Sequence, residues 1–280
     1  MKLVTFVRPG GLPEPGVLEG DQIKTLAGAG FSCVVSIIAG GAAALAKVAA
    51  ADTPRVAASG VKLMSPIPRP PKIICVGLNY RDHAIESNMA IPTTPTIFCK
   101  FATSVIGQGD TIVLPKASTQ PDYEAEFAVV IGKGGRHIPA DKWQEHVFGY
   151  TNLHDVSARD FQLATSQWVI GKTFDTFCPI GPFIATADEI ADPHNLDISL
   201  TLNGQVLQQS NTRELIFRIP QLIAHLSSVF TLEPGDIIST GTPAGVGFAR
   251  KPPVYLKKGD TVVVKVQGLG ELSNPVTVED

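Results

Sequence analysis

The chain has 280 residues, 44% of them hydrophobic, which is enough to bury a sizeable core and excludes a disordered chain. With 23 basic and 26 acidic residues the net charge is −3, so no broad basic field is available to hold nucleic acid or an anionic membrane. Four cysteines (Cys33, Cys75, Cys99, Cys178) show no C-x-x-C spacing, which argues against a zinc ribbon, a dithiol redox motif and a disulfide framework. That usage, and the absence of secretory-signal order in Met1 to Pro9, lead us to expect a cytoplasmic protein.

Short strands are expected at Leu3 to Val7 and Gly16 to Gln22, followed by an alanine-rich helix ending near Ala51. The apolar run Cys33 to Ala46 is interrupted by Gly40 and Gly41 and falls short of the ~20 residues a bilayer span needs, so it reads as a buried helix. Residues 1–65 therefore form a small N-terminal α/β unit. Residues 66–71 (Pro66-Ile67-Pro68-Arg69-Pro70-Pro71) are a proline-rich linker, extended because proline fixes φ and disfavours helix in the residue before it.

From residue 72 to 280, β-rich runs recur: Ile73 to Val76, Thr111 to Leu114, Glu124 to Ile131, Ile198 to Leu202, Asp236 to Thr240 and Thr261 to Val266. The clearest helical pattern spans Arg213 to Phe230. Long helices do not alternate with the strands, so the fold class is β-rich α+β of mixed architecture rather than a doubly wound parallel sheet. No internal repeat is visible.

In Glu124-Ala125-Glu126, two carboxylates at i and i+2 share one face of a strand whose continuation is apolar on both faces, as in an interior strand. Two like charges held close and partly buried call for a cation, and carboxylates without clustered histidine or cysteine point to Mg²⁺ or Mn²⁺, with Ca²⁺ as a substitute. A solvated strand end is the competing reading. Asp155 and Asp160 are candidates for a third carboxylate, although Asp155 would equally serve as a helix N-cap ahead of Val156 to Phe161. His83 and Glu86 are one helical turn apart, a spacing shared by a base with its orienting acid and by ordinary surface pairs. Ser166 to Thr173 resembles the end of a P-loop without its first glycine or its strand, which leaves Lys172 as either a cation for a substrate anion or a solvated lysine. Gly132-Lys133-Gly134-Gly135 reads as a hairpin turn. In Gly235 to Gly247, glycines permit close backbone approach to a ligand that Thr242 could hold.

Taken in order, Gly77-Leu78-Asn79-Tyr80 with His83 and Glu86, the Glu124/Glu126 pair, Asp155 to Asp160, Gly171 to Asp175 and Gly241-Thr242-Pro243 resemble the fumarylacetoacetate hydrolase superfamily. Lys172 to Pro182 and Asp192 to Leu196 are especially similar to its branch called fumarylacetoacetate hydrolase domain-containing protein 2. The resemblance implies a mixed β-roll catalytic domain, usually homodimeric, with Mg²⁺ or Mn²⁺ on Glu124, Glu126 and Asp155. It further implies that His83 and Glu86 activate a water from a lid segment, with Lys172, Gln162 and Thr242 on a bound oxo acid beside Gly241. Where the name-giving enzyme has a further acidic ligand, this chain has Cys75-Val76-Gly77, which counts against fumarylacetoacetate as substrate. The expected activity is metal-dependent chemistry on a small 2-oxo acid through an enolate. C–C hydrolysis of an acylpyruvate-type β-diketo acid ranks first, with oxaloacetate tautomerase or decarboxylase, or a hydroxymuconate-type isomerase, as alternatives. A non-catalytic oxo-acid binding protein ranks last.

Overall fold

A computed structural model describes residues 1–280. All six strands expected after residue 72 are present, each within two residues of its expected limits. They assemble into two sheets. The larger has twelve strands, and its main path runs Arg55–Ala57, Gln22–Thr25, Glu14–Glu19, Lys2–Val7, Cys178–Thr186, Val147–His154, Ala125–Ile131, Ile237–Ser239, Ile73–Gly77, Thr96–Lys100. The smaller has five, in the order Gln205–Asn211, Asp197–Leu202, Thr261–Val266, Glu271–Val278, Ile112–Leu114. Most pairings are antiparallel, but Ile237–Ser239 runs parallel to Ile73–Gly77, so the architecture is β-rich and mixed.

The strand Ala125–Ile131 is buried along its whole length between two neighbours, which is why it reads as apolar on both faces. One face carries Phe127, Val129 and Ile131 into the main core, where they join Leu200, Val264 and Leu272 of the smaller sheet. The other face carries Glu126, Ala128 and Val130: Val130 packs beneath the N-terminal helix Val34–Ala50, and Ala128 packs with Cys75, Leu153 and Ile180. Glu126 therefore lies at the end of a buried apolar row.

The N-terminal unit shares a sheet with the region that follows it. Its first strand pairs with Cys178–Thr186 in the register Leu3↔Ile184, so it extends the large sheet instead of forming one of its own. No helix is long and apolar enough to cross a membrane. The helix expected over Arg213 to Phe230 begins only at Ile219, after a 3₁₀ turn at Thr212–Glu214 and a bent link over Leu215 to Arg218. Pro220 explains the late start, since its missing N–H is tolerated in the first turn of a helix but would cost a hydrogen bond in the interior of one that began at Arg213. Gly132 to Gly135 lies in a longer connection than a tight hairpin turn, containing a 3₁₀ helix at Ala140–Glu145. The strands it joins are nevertheless antiparallel neighbours.

Candidate active site

The antiparallel register Ala125↔His154 places Glu124 beside Asp155, and the Asp155 N–H donates to the Glu124 carbonyl at 3.0 Å. Glu126, two residues along, projects from the same face. One oxygen from each of Glu124, Glu126 and Asp155 lies within 4.8 Å of the others, and all three side chains are buried. The solvated-strand-end and helix-cap readings are thereby overturned for these residues. Asp160 is not part of the group; its carboxylate accepts from Ser118 Oγ at 2.7 Å and the Thr119 N–H at 2.8 Å.

Three buried cations face two of these acids. Lys172 Nζ sits 2.6 Å from Glu124 and 2.7 Å from Asp155. Lys100 Nζ lies 2.5 Å from the other oxygen of Asp155, and Arg159 pairs with Glu124 at 2.6 Å. Burial opposes charge on Glu124, but Lys172 and Arg159 hold its carboxyl well below the usual range. Glu126 goes the other way: burial first, then the charges of Asp155 and Glu124, push it up to about 8. Its bonds come from neutral donors, the Ser239 hydroxyl and the Gly241 N–H at 2.9 Å. A buried carboxyl forced this high beside two others, in an all-oxygen donor set, fits a hard divalent cation held by Glu124, Glu126 and Asp155.

His83 and Glu86 lie on the short helix Arg81–Glu86. The Asn79 side chain sets its entry, donating to Thr240 O at 2.8 Å and accepting from the Phe217 N–H at 2.7 Å. His83 is buried, and its Nδ1 is 3.5 Å from Glu86, longer than a well-formed hydrogen bond. The Glu86 carboxylate accepts from the Gly245 N–H at 2.9 Å, which pins the helix to the glycine loop. Burial would raise Glu86, but His83 and Gly245 outweigh it and leave its pKa below the ordinary value.

A cavity of about 190 Å³ joins these parts; its lining includes His83, Glu124, Glu126, Gln162, Lys172 and Thr242. Burial opposes charge on Lys172, but Asp155 and Glu124 raise its pKa overall, so it stays an ammonium. Gln162 accepts from Arg159 at 2.8 Å. Thr242 Oγ accepts from Gln208 Nε2 at 2.8 Å, while Gln208 Oε1 accepts from the Ala125 N–H, so the smaller sheet ties the threonine loop to the acidic strand. Gly241 adopts φ +103, and a Cβ there would meet Asn79 Cβ at 2.9 Å. Six of the residues singled out from the sequence thus line one cavity, while Asp155, Gly241 and Glu86 sit behind that lining, against Glu124, Glu126 and His83 respectively.

Sequence reasoning missed Lys100, which follows no motif, and gave Arg159 no role although it lies inside one. It also missed Asp122, a buried carboxylate that accepts from Arg159 Nε at 2.8 Å and the Gly247 N–H at 2.7 Å. The proximity of Asp122 to Glu124 was the only available signal.

Residues 72–277 match the family model for the fumarylacetoacetate hydrolase C-terminal region. The oxaloacetate tautomerase Fahd2a, mitochondrial, of Rattus norvegicus is 48% identical over 287 residues, covering 99% of this chain and 91% of that protein. Among solved structures, maleylpyruvate hydrolase from Sphingobium sp. SYK-6, in complex with manganese(II) and pyruvate, has a TM-score of 0.85 and 34% identity over the whole of both chains. The 5-carboxymethyl-2-hydroxymuconate delta-isomerase from Mycobacterium smegmatis has a TM-score of 0.81 and 36% identity, again over both whole chains. With its mixed β architecture, its acidic cluster and these likenesses, the chain belongs to the fumarylacetoacetate hydrolase family of enzymes.

Proposed function

We propose that the protein interconverts the enol and keto forms of oxaloacetate, which moves this alternative ahead of C–C hydrolysis. The observation that carries the reading is that His83, Lys172, Glu124 and Glu126 line a single cavity of about 190 Å³, with Asp155 buried within 4.8 Å of both glutamates. Tautomerisation needs a group to move a proton and a positive environment for the enolate, and no water has to be placed at a distal carbonyl. The rat relative, similar along almost the whole chain, carries that activity in its name.

A divalent ion held by Glu124, Glu126 and Asp155 would supply Lewis acidity toward the 2-oxo and carboxylate oxygens. Lys172, kept protonated by its two acidic neighbours, offsets the negative charge of the enolate. His83 takes the proton from the carbon next to the oxo group and returns it to the oxo oxygen, giving the enol with no net change in atoms. Glu86 orients the imidazole, and its bond to Gly245 keeps the helix over the cavity. Gln162 and Thr242 line the same space and offer polar contacts to the substrate.

Hydrolysis of an acylpyruvate is the second reading, favoured by the likeness to maleylpyruvate hydrolase. A proton NMR time course of the Mn²⁺-loaded protein with acetylpyruvate and, separately, oxaloacetate distinguishes the two. Faster exchange between the enol and keto signals of oxaloacetate, with acetylpyruvate intact, supports tautomerisation. Pyruvate and acetate released from acetylpyruvate, with oxaloacetate exchanging at the background rate, would make hydrolysis the better reading.

A further inference from the structure

A second and much larger cavity, about 780 Å³, lies against the edge strand Thr96–Lys100 and is largely apolar, with Ile97, Phe101 and Phe230 in its wall. None of Glu124, Glu126, Asp155, His83 or Lys172 lines it. The two linings have two residues in common, Phe98 and Trp168. Their rings pack edge to face, with centroids 5.6 Å apart and planes at 63°. On the chamber side, the Phe98 ring centre is 5.0 Å from Lys172 Nζ, so this aromatic pair stands next to the charged cluster.

Gly77 gives the indole its seat. A Cβ at position 77 would lie 2.2 Å from Trp168 Cζ3, so any larger residue would displace the ring. The small chamber, at about 190 Å³, has roughly a quarter of the volume of the groove on the other side of Phe98 and Trp168.

We propose that Trp168, seated on Gly77 and braced by Phe98, determines substrate length: it partitions the catalytic chamber from the apolar groove and restricts the enzyme to short 2-oxo diacids. Without the indole the two spaces join, and a longer 2-oxo acid lays its methylenes along Ile97 and Phe101. The inference rests on the chamber being an oxo-acid site, as proposed above, but not on which reaction occurs there.

The test is calorimetric binding of 2-oxoglutarate, 2-oxoadipate and 2-oxopimelate to the Mn²⁺-loaded protein, which requires no turnover. In the wild type, affinity should fall along this series. In Trp168→Ala the fall should vanish or reverse, with 2-oxopimelate binding at least about tenfold more tightly than to the wild type, since even one methylene in a fitted pocket is worth that much. Gly77→Ala should move the profile in the same direction by unseating the ring, and it decides the matter if Trp168→Ala does not fold. Trp168→Phe, which keeps an aromatic wall, should preserve the wild-type order. An unchanged profile in folded Trp168→Ala, or wild-type affinity that does not fall with length, overturns the proposal. A protein inert toward oxaloacetate whose length profile still shifts would discard the tautomerase reading and leave the partition standing.

Discussion

Glu126→Gln should make the metal-free protein more stable while abolishing its response to metal. Glu126 is buried beside Asp155 and Glu124, and its pKa is raised from 4.5 to about 8. The unfolded chain gives up this proton at ordinary carboxyl pH, whereas the folded chain keeps it until about pH 8, so stability falls as pH rises between those values. At ~1.4 kcal/mol per pK unit the cost at pH 8 is on the order of 4 kcal/mol. A glutamine oxygen still accepts from the Ser239 hydroxyl and the Gly241 N–H, so little is lost in exchange. For a chain of this size each kcal/mol moves the melting temperature by about 2–4 °C, so the metal-free variant should melt roughly 8–16 °C above the wild type at pH 8 and close to it at pH 5. Saturating Mn²⁺ should stabilise only the wild type, by about 2.7 kcal/mol when present at a hundredfold excess over its dissociation constant. Thermal unfolding of chelator-treated protein at both pH values, with and without Mn²⁺, supplies every comparison. A variant that melts below the wild type at pH 8 without metal, or responds equally to Mn²⁺, would refute the reasoning.

His83→Ala should retain Mn²⁺-dependent binding of pyruvate by calorimetry yet lower the rate of proton transfer by about 10²–10⁴-fold, the usual contribution of a positioned acid–base group. Lys100→Met strips one oxygen of Asp155 of its buried partner; denaturant unfolding should show a loss of about 3–5 kcal/mol in the metal-free protein, partly restored by Mn²⁺. Because a carboxyl raised to about 8 must lose its proton to bind a cation, Mn²⁺ binding at pH 7 should release close to one proton and weaken as pH falls, as read from titrations in buffers of different ionisation enthalpy.

Local rules carried much of the site. Glu124 and Glu126 were legible because alternation along a strand puts i and i+2 on one face, and the apolar run that follows marks an interior strand. Asp155 was not legible in that way, since its place beside Glu124 depends on a strand register that spans about thirty residues of chain. The same limit hid Lys100, whose partner is 55 residues away. It also hid the continuity of the N-terminal strands with the catalytic sheet, set by the pairing of Leu3 with Ile184. Trp168 was given no role within its stretch, because the contact that gives it meaning is with a distant glycine. The family resemblance supplied what spacing could not, grouping Gln162 and Thr242 with the acids they now share a cavity with.

The most direct test of the central claim is a stopped-flow record of enol absorbance after mixing oxaloacetate with Mn²⁺-loaded wild type, His83→Ala and Glu126→Gln. The account predicts that only the wild type speeds the approach to the keto form, with no pyruvate formed on that timescale. Equal acceleration by His83→Ala, or pyruvate appearing in step with the loss of enol, would contradict it.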